Sequence, residues 1–175
     1  SEIPSYLIMF WVGPTPLSQF NARFLYALAS VSSVLLVYLI TKNLLSEGIA
    51  KFAGFLMAVN PWSIHLGRTA LETSFATFFF LLGAYLILSK SSWKTLFALP
   101  VFAAGFLSYL GAKLLFFPII ITLLFYKFKT SQTKNLASPY LIFGLVALLF
   151  LLFYTLTINY QPAGSRTKEL LIFDQ

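Results

Sequence analysis

Charge is missing from this sequence over long, regularly spaced stretches, and that pattern limits the possible folds more than any other feature. Phe24–Thr41 is 18 residues without a charge, Phe52–Gly67 is 16 with His65 neutral, Thr73–Ser89 is 17 and Thr95–Ala112 is 18. Leu114–Tyr126 adds 13, and the 31-residue gap Asn135–Ser165 is apolar over Tyr140–Ile158. A helix needs about 20 mainly apolar residues to cross a bilayer, with ~17 as the lower limit. The first, third, fourth and sixth stretches reach that length with their polar ends. The second carries Asn60-Pro61 near its end, and the fifth must borrow residues from its flanks. Runs such as Phe78–Leu82 and Leu148–Phe153 are continuously apolar rather than alternating. Backbone groups in lipid must pair within their own segment, so these runs predict helices and not barrel strands.

Composition agrees. Hydrophobic residues make up 59% of the 175 and charged residues 10%, against about a quarter charged in a soluble domain. A soluble domain, a disordered tail and a nucleic-acid binder are excluded. The net charge of +7 is dispersed, with no basic patch interleaved with aromatics. Without cysteine there is no disulfide framework and no thiolate metal site.

The expected fold is an all-α polytopic bundle of five or six membrane helices, in one transmembrane domain over 1–175. Its segments lie near 20–42, 48–64, 69–89, 94–111, 113–127 and 138–159. An interfacial helix over 4–11, cut off by Gly13-Pro14, precedes them. Lys42, Lys51, Lys90, Lys94, Lys127, Lys129 and Lys134 fall in alternate loops, which the cation bias assigns to the cytoplasm. Arg23, Arg68, Lys113, Arg166 and Lys168 then lie outside, with Glu2, Glu72, Glu169 and Asp174. Gly48 is read as opening an inner turn, and the fourth and fifth segments as a hairpin turning at Gly111–Lys113. The chain begins at Ser1 and stops soon after an apolar segment, and is read as an internal piece of a longer protein.

The stretch most able to do chemistry is Asn60–Glu72, which places His65, Arg68 and Glu72 at an outer membrane boundary. If the chain is helical from Thr69 onward, Arg68 and Glu72 are four apart on one face. Two readings stay open. One is an exposed ion pair with a snorkelling arginine. The other is a cation that holds phosphate beside a carboxylate that binds a metal or an acceptor, since ionisable groups at membrane depth are costly without a role. His65 alone is read more simply as hydrogen-bonded scaffolding than as a ligand. Lys113, in a short outer turn, and Arg23, at the outer start of the first long segment, can each be interface anchors or phosphate contacts. No glycine-rich phosphate loop occurs.

The segment 61–83, PWSIHLGRTALETSFATFFFLLG, resembles the corresponding loop and helix of GT-C glycosyltransferases, in the protein-mannosyltransferase and aminoarabinose-transferase branch. That branch has a proline, a Ser/Gly-Arg pair and an acidic residue about four positions on, before a Phe/Leu-rich helix. Pro4–Phe10, the Gly13 break, Ser18–Arg23 and Val34–Leu39 are similar to its interfacial helix and second membrane helix. Ser108–Pro118 is similar to its hairpin with a basic residue before a proline, and Gly164–Asp174 to a later outer loop.

The resemblance implies a multi-pass enzyme of the plasma (inner) membrane that moves a hexose or pentose on the extracytoplasmic side. The donor would be a polyprenyl-phosphate sugar and the acceptor a protein or glycolipid. The partners are then that donor, that acceptor and the bilayer, with no nucleic acid. Arg68, Glu72, Arg23, Lys113 and His65 become the substrate-binding candidates, and Glu72 a ligand for a divalent metal ion. The family's catalytic base sits in a first outer loop that would precede Ser1, so no catalytic residue is assigned and this piece alone is expected to be inactive. The rival functions are a transporter or flippase for a lipid-linked anion, and a non-catalytic assembly subunit.

Overall fold

The computed structural model describes residues 3–14, 18–89, 92–109 and 111–130. The segment near 138–159 and the tail with Arg166, Lys168, Glu169 and Asp174 lie outside the described residues, as do Glu2, Lys90 and Lys134.

All the described elements are helices: α1 (Ile3–Val12), α2 (Gln19–Leu44), α3 (Glu47–Val59), α4 (Pro61–Arg68), α5 (Thr73–Leu88), α6 (Ser92–Ser108) and α7 (Ala112–Thr130). α2 is by itself long and apolar enough to cross a membrane, at 26 residues. α4 and α5 meet that test only together, as a span bent by 118°. α1, Lys94–Ser108 and Leu115–Lys127 are shorter apolar helices.

Local chemistry sets the ends. Ser18 caps α2, its Oγ accepting from the Asn21 N–H at 3.1 Å, which satisfies one of the free donors of a first turn. Glu47 opens α3 where a negative charge suits the helix dipole, and its carboxylate pairs with Lys51 at 3.2 Å and Lys42 at 3.5 Å. Leu45 and Ser46 form the turn between α2 and α3, so Gly48 is helical and does not open it.

The stretch expected as one segment near 48–64 is two helices. Pro61 disfavours a helical residue before it, and Asn60 is extended, with φ −63° and ψ 119°. Asn60 Oδ1 then accepts from the Trp62 N–H at 3.0 Å, and Pro61 takes the first helical position, where its missing N–H costs nothing.

A second correction follows at the far end of α4. Thr69 closes the helix, its N–H and its Oγ1–H both donating to His65 O at 3.0 and 2.8 Å. Ala70 then takes a left-handed φ of 54°. The chain is therefore not helical from Thr69 onward. Arg68 ends α4 and Glu72 precedes α5, on opposite sides of the bend, so they do not share a helix face.

Small residues let helix backbones approach closely. α5 and α6 interlock: a Cβ on Gly83 would lie 2.6 Å from the Phe102 ring, and one on Gly105 would lie 2.9 Å from Phe80. Phe102, Phe106 and Phe116 form the buried core of α5, α6 and α7 with Ile87, Ala98 and Ile120. A smaller core joins α2 to α5 through Tyr26, Ala29 and Phe75, the two rings meeting edge to face at 4.9 Å. Lys127 of α7 donates to Ser89 O at 2.7 Å, covering a carbonyl at the end of α5 that has no partner in its own helix. α6 and α7 are separate helices, with Lys113 in the first turn of α7.

Candidate functional site

Three of the five candidate residues come together. Arg23 stands in the second turn of α2, His65 and Arg68 in the last turn of α4. With Val59, Ile64 and Thr69 they line a cavity of about 690 Å³. α4 is held against α2 at Ser30, whose Oγ donates to Ser63 O at 3.1 Å. One turn after Ser63, Gly67 leaves room for the approach, since a Cβ there would lie 2.9 Å from Ser30. That contact is what carries Arg68 beside Arg23.

The two arginines also share a second cavity of about 350 Å³, bordered by Gln19, Phe20 and Phe24. Arg68 borders a third space as well. This is an apolar groove of about 720 Å³ between α2, α3 and α4, walled by Val31, Leu35, Phe55 and Ala58. Its α2 wall runs from Ala27 to Tyr38, which is about 16 Å of helix. Lys51 borders the groove too, and that lysine pairs with Glu47.

The electrostatics of the arginine end are one-sided. No carboxylate borders any of the three cavities. Among the described residues, the side chains of Arg23, His65 and Arg68 have neither an ion pair nor a hydrogen bond. The His65 ring stacks on Trp62 at 5.7 Å, nearly parallel, which fixes its plane. All three groups are exposed. Two guanidiniums and an imidazole around one space offer donors in forks that match an anion's oxygens.

Glu72 and Lys113 stand apart. Glu72 is half-buried, makes no side-chain cap for α5 and lines none of the three cavities. No group of three His, Cys, Asp or Glu able to hold a metal occurs among the described residues. Lys113 belongs to the α6–α7 hairpin, with its ammonium 5.8 Å from the Phe106 ring centroid, a cation–π distance.

The groove was absent from the sequence reading. Its signal is the set of small residues Ser30, Gly54, Ser63 and Gly67, which let α3 and α4 lie close to α2 and leave the larger side chains as walls.

The family model for dolichyl-phosphate-mannose-protein mannosyltransferases matches residues 5–156. No curated protein and no solved structure matches the chain.

Proposed function

The chain belongs to the dolichyl-phosphate-mannose-protein mannosyltransferase family, a membrane glycosyltransferase of the GT-C type, and on that premise we propose that it takes its sugar from a polyprenyl-phosphate donor. The observation that carries this reading is the place of Arg68, between a cavity it shares with Arg23 and His65 and an apolar groove. A polyprenyl phosphate has the same two parts, an anionic head and a long apolar tail. The head sits between Arg23 and Arg68, with His65 beside it, and the tail lies along α2 and α3 in the groove.

The chemistry suits these groups. The acceptor hydroxyl attacks the anomeric carbon, and the bond from that carbon to the phosphate oxygen breaks with its electron pair leaving on the phosphate. Fixed cations stabilise the charge that develops there. The acceptor's proton passes to a general base, a role given to none of the described residues. The acceptor is a protein or glycolipid, and transfer takes place on the extracytoplasmic face.

The test is transfer from a polyprenyl-phosphate sugar by the full-length protein in proteoliposomes, compared with movement of the same lipid between leaflets. Sugar transfer that falls in Arg23→Ala and Arg68→Ala supports the reading. Leaflet exchange without transfer sinks it and favours a flippase.

A further inference from the structure

Between α2, α3, α4 and α5 lies a small cavity of about 20 Å³, bordered by Met57, Leu66 and five hydroxyl residues, Ser30, Ser33, Ser63, Ser74 and Thr77. We propose that this cavity binds a single water molecule, which ties α4 to α2 and α5. The inference goes beyond the glycosyl-transfer reading and does not rest on it.

Hydrogen-bond accounting leads there. Ser30 Oγ donates to Ser63 O at 3.1 Å and Ser33 Oγ to Ala29 O at 2.8 Å. Ser74 Oγ donates to Leu66 O at 2.9 Å and Thr77 Oγ1 to Thr73 O at 2.8 Å. A carbonyl oxygen only accepts, so these four protons are committed, while each hydroxyl oxygen keeps lone pairs to offer. Ser63 is the exception. Its hydroxyl has no partner among the described residues, although the residue is only 8% exposed. Ser33 and Ser74 are more deeply buried still. The cavity therefore presents one free donor among four acceptors.

A water molecule completes that set. It accepts from Ser63 Oγ and donates its two protons to two of the other four oxygens, giving about three bonds, as buried waters usually make. The space of about 20 Å³ is large enough for a water, which needs about 10–15 Å³. An acceptor-rich lining would also suit a cation, but no carboxylate borders the cavity and the free Ser63 proton would face the ion. The water links Ser63, two residues before α4's last turn, to the neighbouring helices. That last turn carries His65 and Arg68, so the water acts on them by position.

The test is the density of the full-length protein at about 2 Å, where ordered water is visible. The expected result is one peak, about 2.7–3.2 Å from Ser63 Oγ and from at least two of the Ser30, Ser33, Ser74 and Thr77 oxygens. An empty cavity overturns the proposal. So does a peak ringed by five or more oxygens at the shorter distances of a metal ion, about 2.3–2.6 Å. In Ser63→Ala the peak should fall below half occupancy while α4 stays in place, and full occupancy there overturns the role given to Ser63. If that variant fails to fold, the wild-type density decides alone.

Discussion

Arg23 on α2 and Arg68 at the end of α4 border the same two cavities, and neither guanidinium has a counter-charge among the described residues. Two like charges facing one space repel unless an anion lies between them. Removing one should therefore weaken binding without weakening the fold. In the full-length protein, Arg68→Ala should raise KM for a polyprenyl-phosphate sugar at least about tenfold, since a hydrogen bond to a charged group contributes roughly 1.5–3 kcal/mol. Arg68→Lys should recover only part of the loss, because a point charge lacks the fork. The melting temperature should be unchanged in both. A loss of activity that follows a loss of melting temperature would make Arg68 a scaffold residue.

The groove makes a separate prediction about the tail. Ala58 is an exposed residue on the α3 wall of the groove. Ala58→Phe should fill part of the space and raise KM for a long-chain donor several-fold. A donor with a chain of only two or three isoprene units should be affected little. Equal effects on both donors would remove the tail from the groove.

How much was legible in the sequence follows from what each feature depends on. Charge-free stretches depend only on composition, so the helices were readable and the all-α architecture with them. The break at Asn60-Pro61 was also written locally, as a cap followed by a proline, but the apolar residues on both sides hid it inside one segment. Ala70 gave no signal, because a left-handed residue is usually glycine or asparagine, and so the turn that parts Arg68 from Glu72 was missed. The meeting of Arg23 with Arg68 depends on α4 docking against Ser30, a tertiary contact with no local trace. Family resemblance made both arginines and Lys113 substrate-binding candidates, and the structure places Lys113 against Phe106 in a different hairpin.

Two glycines should respond to alanine in opposite ways. At Gly83 a Cβ would lie 2.6 Å from the ring of Phe102, a fully buried side chain that cannot move aside. Overpacking of that kind costs about 1–3 kcal/mol. At Gly48, in the first turn of α3, nothing lies within 4 Å. Alanine there should stabilise by about 0.5–1 kcal/mol through helix propensity alone. Unfolding of the two variants in detergent measures both effects. Equal destabilisation would show that the α5–α6 interlock is not the reason for Gly83.

Ala70 provides a test of the bend. Its φ of 54° carries a penalty of about 1–2 kcal/mol for a residue with a Cβ, partly offset by the greater freedom of an unfolded glycine. Ala70→Gly should therefore raise stability by up to about 1 kcal/mol and leave donor KM unchanged. Ala70→Val should do the reverse, since a branched side chain suits that conformation least. A destabilised Ala70→Gly would mean that packing of the Ala70 methyl against the Tyr26–Phe75 cluster outweighs the strain.

The Glu47 carboxylate sets a pH dependence at the opposite end of α2 from Arg23. The Lys51 hydrogen bond, followed by the charges of Lys42 and Lys51, holds it below the usual carboxylate range. A group whose folded pKa is lowered contributes fully above its unfolded value and loses that contribution as pH falls through the folded one. Stability should thus be level across neutral pH and decline only below the ordinary carboxylate range. All three side chains are exposed, so added salt should shrink the effect. Glu47→Gln should flatten the acid limb of the melting-temperature profile relative to wild type at low salt, and the two profiles should converge at high salt. Parallel acid limbs at low salt would show that the ion pairs at the start of α3 contribute nothing to holding α2 and α3 together.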